Sequence, residues 1–443
     1  VYPVTSKESV MNRITDTNGI TYLRAKKSLN QSIPRELYPY LSLFAESLTS
    51  LGTSTEDYAD IENEMKLHTG GVSTSVNVHQ NPVTSVPELQ FQFDGWCLNS
   101  KTEFVFDIWR KLLTDTDFNK HKEKLRVLIR SLASSNTAAV AESGHSFARN
   151  FTAAHFSNTK AIFESLAGME QLQLVTRLSN ILDDDSLFQT EVVDKLRELQ
   201  GYVIGSQGLG FFVTTDSSNQ VQAVEKRIDE FVRALPSKAT AQNFCATNYP
   251  LLNSNGLPTL IDFPFQVHYA AESMKGVSYT HQDGASLQVL ANMLTFKYLH
   301  REIREKGGAY GAGANYSALD GIFNFYSYRD PHALKSLETF AKSGEYVLND
   351  AKWTVQDLDE AKLTIFQQID APISCKGEGG ILFYYGITDQ MRQQRRQSLL
   401  DVQLLDIHRA AEKYLVGKPS VSAVLGPYLD AEMPRDQWNI EKL

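Results

Sequence analysis

The run His300-Arg301-Glu302-Ile303-Arg304-Glu305-Lys306-Gly307-Gly308-Ala309-Tyr310-Gly311-Ala312-Gly313-Ala314 sets a charged helix end against a glycine-rich strand. It carries two hydrogen-bond donors, the Arg304 guanidinium and the Tyr310 phenol, on either side of Gly307-Gly308. Glycine tolerates positive φ and lets another backbone come close, as a helix C-terminus beside a ligand cleft requires. Arg304 and Tyr310 can then point the same way across the turn. The same residue types also fit a plain helix cap followed by a strand, with Arg304 solvated and Tyr310 packed in a core. A phosphate cradle is excluded, because no G-K-[ST] follows Gly313 and the strand-loop-helix order of a P-loop is reversed.

Other chemistries find no support in the chain. A zinc hydrolase needs ligands one helical turn apart and a carboxylate to activate water. The 10 histidines form neither H-E-x-x-H nor H-x-x-E-H. His145 and His155 have no carboxylate between them and read as ordinary polar positions. There is no G-x-S-x-G elbow, and Gly144-His145-Ser146 places a serine beside a histidine only in sequence. Cys97, Cys245 and Cys375 are few, odd in number and far apart. They suit neither a disulfide framework nor a zinc cluster, and read as small buried residues of a reducing compartment.

The elements that position the central run follow from periodicity. Leu287, Leu290, Leu294 and Tyr298 recur at helical spacing and predict a helix over 285–304. Upstream, a strand is expected over 20–23, then a helix opened by Pro34 and closed by Gly52. Val72, Thr74, Val76 and Val78 alternate, as do Leu89, Phe91 and Phe93, predicting an antiparallel pair with one buried face. Helices follow, one bearing Val105, Ile108, Trp109 and Leu112 and the next Leu125, Leu128, Ile129 and Leu132. A helical stretch over 166–199, a strand over 211–215 and a helix ending at 235 complete this part. Downstream come a strand over 265–269, the central helix, two strands hinged on Asp320-Gly321, helices over 331–348, 355–368 and 402–415, and a strand over 421–425. Thr354 and Asp357 are the capping residues of the second of these helices. A glycine-containing loop over 371–380 reads as a mobile connector. Both parts thus share one order of elements, so the fold class is α+β, two tandem homologous α/β-sandwich domains, each an antiparallel-rich sheet packed with helices. The expected boundaries are 1–236 for the first domain, 237–250 for a linker rich in Ser, Thr, Ala and Asn, and 251–443 for the second.

At 443 residues each domain can bury a full core. No run of about 18 apolar residues appears, so no membrane span is expected. With 52 acidic against 43 basic residues the net charge is −9, which argues against a nucleic-acid binder and suits a basic ligand. The chain opens on Val1-Tyr2-Pro3 without an initiator Met or an Arg-rich leader, as an internal piece or a processed product does.

The stretch from Arg304 to Gly311 resembles the arginine-and-tyrosine motif in the C-terminal half of pitrilysin-type metallopeptidases, whose zinc motif is the inverted H-x-x-E-H. Further matching stretches are Asn18-Gly19-Ile20-Thr21-Tyr22-Leu23-Arg24, Leu67-His68-Thr69-Gly70-Gly71, Phe93-Asp94-Gly95-Trp96, Tyr326-Ser327-Tyr328-Arg329-Asp330-Pro331 and Asp359-Glu360-Ala361-Lys362-Leu363. They tie nearly the whole chain to the branch that degrades cleaved mitochondrial targeting peptides. The resemblance implies the non-zinc half of a clamshell peptidase, a zinc metalloendopeptidase when complete, acting on presequences and other unstructured peptides in the mitochondrial matrix. Zinc and the zinc-bearing N-terminal half would be the cofactor and partner of the whole, and this chain alone would be inactive. Arg304 and Tyr310 are then the catalytic residues, with Arg304 on a backbone carbonyl of the peptide and Tyr310 on the oxygen that becomes negative. Gly307 and Gly308 join them in binding substrate. No metal ligand is expected here, since Leu43-Phe44-Ala45-Glu46-Ser47 stands where the motif's equivalent falls, with Leu43 and Ser47 in the ligand places. The alternative is a catalytically silent structural subunit of a heteromeric complex. A free-standing peptide-binding module using a sheet edge ranks third.

Overall fold

The computed structural model describes residues 5–7, 10–29, 33–236, 249–253, 255–349, 351–429 and 432–442. Most of the expected linker, 237–248, and Cys245 with it, lies outside the described residues. Among the described residues the strands are β1 (Thr5–Lys7), β2 (Val10–Ile14), β3 (Ile20–Ser28), β4 (Gly71–Gln80), β5 (Pro87–Leu98), β6 (Leu209–Thr215), β7 (Thr259–Asp262), β8 (Tyr269–Lys275), β9 (Gly311–Ser317), β10 (Ile322–Tyr328), β11 (Ser420–Gly426) and β12 (Asn439–Lys442). They form two six-stranded sheets, ordered β1-β2-β6-β3-β5-β4 and β12-β7-β11-β8-β10-β9. β2 runs parallel to β6 as β7 does to β11. The next three pairs are antiparallel in both sheets. One five-strand plan is therefore used twice, the outermost strands differing in that β1 runs antiparallel to β2 and β12 parallel to β7, and the α+β architecture expected from element order is the one observed.

Helix Leu41–Ser50 follows β3, and the helix beginning at Gly284 follows β8 in the same place. Each packs its apolar stripe on its own sheet, Leu41, Phe44 and Leu48 in one case and Leu287, Leu290 and Leu294 in the other, all fully buried. A third core cluster joins the two parts. Val140 and Phe151 of the long helix Lys122–Ala153, with Met169 and Leu172, pack on Ile261, Phe263, Tyr269, Ala423 and Leu425 of the second sheet.

Several expectations needed correction. The strand placed over 265–269 is instead β7 and β8 with a bend between them, where Phe265 N–H donates to the Phe263 carbonyl at 2.7 Å. The alternating Phe263, Phe265 and Val267 serve the joint with the long helix rather than a strand. The 166–199 stretch breaks at Gly168 and again where the Asp184 side chain caps a new helix. β5 is buried on both faces, since Gln90 and Gln92 are covered as well as Leu89, Phe91 and Phe93. The cover is helix Gly380–Tyr385, which follows the 371–380 loop. Tyr384 donates its hydroxyl to Asp94 at 3.0 Å and accepts from Gln90 on its carbonyl at 3.2 Å. The loop itself makes contacts with the first sheet, with Glu378 paired to Arg13 at 2.7 Å and Lys376 4.1 Å from the Trp96 ring.

Glu164, in helix Asn158–Ala167, is 2% exposed and accepts the Met169 N–H at 2.9 Å on one oxygen, while the other has no partner among the described residues. Burial pushes its carboxyl up to about 8. Unfolded, it ionises near about pH 4.3, so between these values the folded chain keeps a proton the unfolded chain has released. Its contribution is thus favourable at low pH and is lost as pH rises toward 8. Glu164→Gln keeps the acceptor and removes the proton, so thermal melts at about pH 5 and pH 8 should lie closer together than in the parent.

Candidate functional site

The helix that begins at Gly284 is α-helical to Leu294 and then rewinds as a π-helix over Thr295–Glu305. Its last turn shows the wider step directly, with the Lys306 N–H donating to the Arg301 carbonyl at 3.0 Å. π-winding is rare and concentrates at functional sites. Thr295 and His300, five residues apart, both reach β9. Thr295 Oγ1 accepts the Ala314 N–H at 2.8 Å and donates to its carbonyl at 3.2 Å, while His300 hydrogen-bonds the Ala312 backbone. The helix end and the strand are thereby fixed to each other.

The two glycines make the turn between them. A Cβ on Gly307 would lie 2.6 Å from the Ile303 carbonyl oxygen, and Gly308 has φ +78°. The Gly308 and Ala309 N–H groups close the helix on the carbonyls of Arg304 and Ile303, at 3.0 and 3.1 Å. Tyr310 then donates its N–H to Arg329 at 3.3 Å and leads into β9.

All four expected site residues therefore lie on one helix-to-strand turn. Tyr310 is 70% exposed, not packed in a core, and its ring meets Tyr328 edge-on with centroids 5.6 Å apart. Arg304 is exposed and has no ion pair among the described residues. Its neighbours differ. Arg301 and Lys306 both hold Glu302, and Lys297 holds Asp357 and Glu360. Burial, and then the charge of Arg304, keep His300 below the usual imidazole range.

Sequence reasoning missed Thr295 and His300, whose spacing of five is meaningful only once the π-winding is known. It also passed over Tyr328, although the quoted Tyr326-Ser327-Tyr328-Arg329 stretch held the signal.

A cavity of about 520 Å³ lies at the other end of this helix among Asp283, Asp401, Asp406, Arg409 and Lys413. Another, of about 220 Å³, is bordered by Leu43, Glu46, Leu132, Phe147 and Leu166. Leu43 is buried in the core and the Ser47 hydroxyl is spent on the Phe44 carbonyl at 2.8 Å, so this helix does not fit a metal ion. Among the described residues no group of three or more His, Cys, Asp or Glu is placed to hold one. None of their helices is long and apolar enough to cross a membrane.

Two family profiles match the chain. One, over residues 3–178, describes the domain associated with the C subfamily of M16 peptidases, and the other, over residues 259–422, is the "PreP C-terminal domain". The chain belongs to the pitrilysin-type (M16) peptidase family. Within it, the chain is 61% identical to a Kluyveromyces lactis protein and 58% identical to a Saccharomyces cerevisiae protein, each named "Presequence protease, mitochondrial". Those matches take in 96% and 100% of this chain but 43% and 45% of the relatives, so the chain spans less than half their length. Among solved structures it is similar to the M16 peptidase inactive domain of Pseudomonas fluorescens, with TM-score 0.69, 14% identity, and 97% and 98% of the two chains covered. A conserved protein of Enterococcus faecalis gives TM-score 0.70 at 11% identity, covering 95% and 96%. At such identities these last two speak for the fold alone.

Proposed function

We propose that this chain is the non-zinc half of a zinc metalloendopeptidase that degrades mitochondrial presequences and other unstructured peptides in the matrix. A zinc-bearing N-terminal half is its partner and supplies the metal chemistry, and the chain is inert without it. The names of the yeast relatives support the substrate class and the compartment. In this reading Arg304 donates to a backbone carbonyl of the peptide, and Gly307 and Gly308 let that backbone approach. Tyr310 donates to the carbonyl oxygen that gains negative charge during attack.

The observation that carries the reading is the pairing of an exposed arginine, without an acid partner among the described residues, and a 70% exposed tyrosine at the end of one π-wound helix. Leu43 and Ser47, both absorbed into the core, equally suit a silent structural subunit. Such a subunit has no use for two donors held out to solvent.

Arg304→Ala in the full-length protein separates the two. It should raise KM for an unstructured peptide about tenfold, the size of one charge-assisted hydrogen bond, and leave the melting temperature unchanged. Unaltered peptide kinetics would favour the silent subunit.

A further inference from the structure

The helix Lys122–Ala153 covers part of the second sheet, and where it crosses β10 it builds a row of groups that the Arg304 and Tyr310 reading leaves unused. The row starts at Tyr310. Tyr328 touches it edge-on, His145 of the long helix lies against Tyr328 at 5.0 Å and against Tyr326 at 5.3 Å, and the Arg149 guanidinium sits 4.9 Å from the Tyr326 ring. Gly313 on β9 leaves space for this, because a Cβ there would come 2.8 Å from the Tyr326 hydroxyl. His145 and Arg149 are one helical turn apart and so share a face.

Arg149 is the unusual member. It is half-buried, its Nε has no partner, and its one side-chain hydrogen bond among the described residues is a long one, Nη2 to Ser146 Oγ at 3.4 Å. It has no ion pair among the described residues. His145 Nδ1 is likewise unpartnered among the described residues. Burial, then the charge of Arg149, push His145 down to about 4, so it is neutral near pH 7 and does not share the positive charge. At the other end Arg329 stacks on Tyr328 at 5.4 Å, also without an ion pair among the described residues. An arginine withdrawn from water without an anion is unfavourable, and the ring face of Tyr326 offsets only part of that. A carboxylate arriving with a ligand completes it with a forked pair of hydrogen bonds.

We propose that Arg149, with His145 beside it, binds a carboxylate of the bound peptide, and that Tyr326 and Tyr328 line the way to it from Tyr310. The carboxylate is either the C-terminus of the peptide or an acidic side chain. The inference rests on the peptide-binding reading above.

The test uses full-length protein stripped of zinc by a chelator, so that peptide is bound and not cut. A fluorescent peptide with a single Glu is titrated in three forms: free C-terminal acid, C-terminal amide, and Glu replaced by Gln. Either the amide or the Gln form should bind about tenfold more weakly, and which one does identifies the carboxylate. Arg149→Gln should remove that difference, and Arg149→Lys should keep part of it. Equal binding of all three peptides to the parent protein overturns the proposal without any variant. So does full discrimination by Arg149→Gln. Equal binding leaves the peptide reading standing, whereas no binding of any form sinks both.

Discussion

Tyr310→Phe in the full-length protein is expected to lower kcat for an unstructured peptide about a hundredfold, with KM within about twofold of the parent. The substitution removes one oxygen and keeps the ring, so the edge-on contact with Tyr328 survives. At 70% exposure the phenol adds little to folding, and the melting temperature should not move. The loss instead falls on the step at which a carbonyl oxygen becomes negative. A preorganised donor aimed at such an oxygen contributes about 3 kcal/mol. Tyr310 meets the requirement of preorganisation because the strand it opens is tied to the π-helix by Thr295 and His300. Arg304, if it holds a backbone carbonyl in ground state and transition state alike as proposed, should act on KM instead. Steady-state kinetics separate the two, and an unchanged kcat would remove Tyr310 from the chemistry.

The parts of the fold that could be read from the sequence are those where one face decides. The alternation of Val72, Thr74, Val76 and Val78 gave β4, and Thr354 with Asp357 forms the capping box of helix Val355–Ile369. The turn bearing Arg304, Gly307, Gly308 and Tyr310 was equally open, because a helical stripe, two glycines and a strand leave few other shapes. Helix Asp389–Asp401 was not seen, since only Leu399 in it is buried and a helix without an apolar stripe has no period to detect. The π-winding was hidden for a related reason. Leu294 and Leu299 are five apart, but one such step looks like an irregular α-helix until the backbone bonds are known. Contacts between distant segments had no local signal at all. Tyr384 seals Asp94 from 290 residues away, and Arg149 meets Tyr326 across the joint between the two sheets.

That joint sets the second large effect, a loss of stability on Gly144→Val. Gly144 follows a break in the long helix, where Ser143 has φ −130°, and it lies against the Tyr269 ring, which is 1% exposed. A Cβ there would come 2.4 Å from the ring. Tyr269 has nowhere to go. Its hydroxyl donates to the Ala141 carbonyl at 2.5 Å, and its ring is wedged between Phe265 and Tyr328 at 5.8 and 5.6 Å. Better helix propensity than glycine gives back less than about 1 kcal/mol, while overpacking a closed site costs about 2–3 kcal/mol. The second term wins, and the melting temperature should fall by several degrees. Gly201→Ala is the control of opposite sign. Gly201 lies in helix Asp194–Val203 with no atom within 4 Å of an added Cβ, so alanine there should raise stability by about 0.5–1 kcal/mol. Because Tyr269 supports Tyr328, and Tyr328 supports Tyr310, Gly144→Val should also weaken peptide binding at temperatures where the chain is still folded. Circular dichroism melts of both variants decide the matter, and a Gly144→Val protein that melts with its parent would mean that the long helix does not clamp the second sheet.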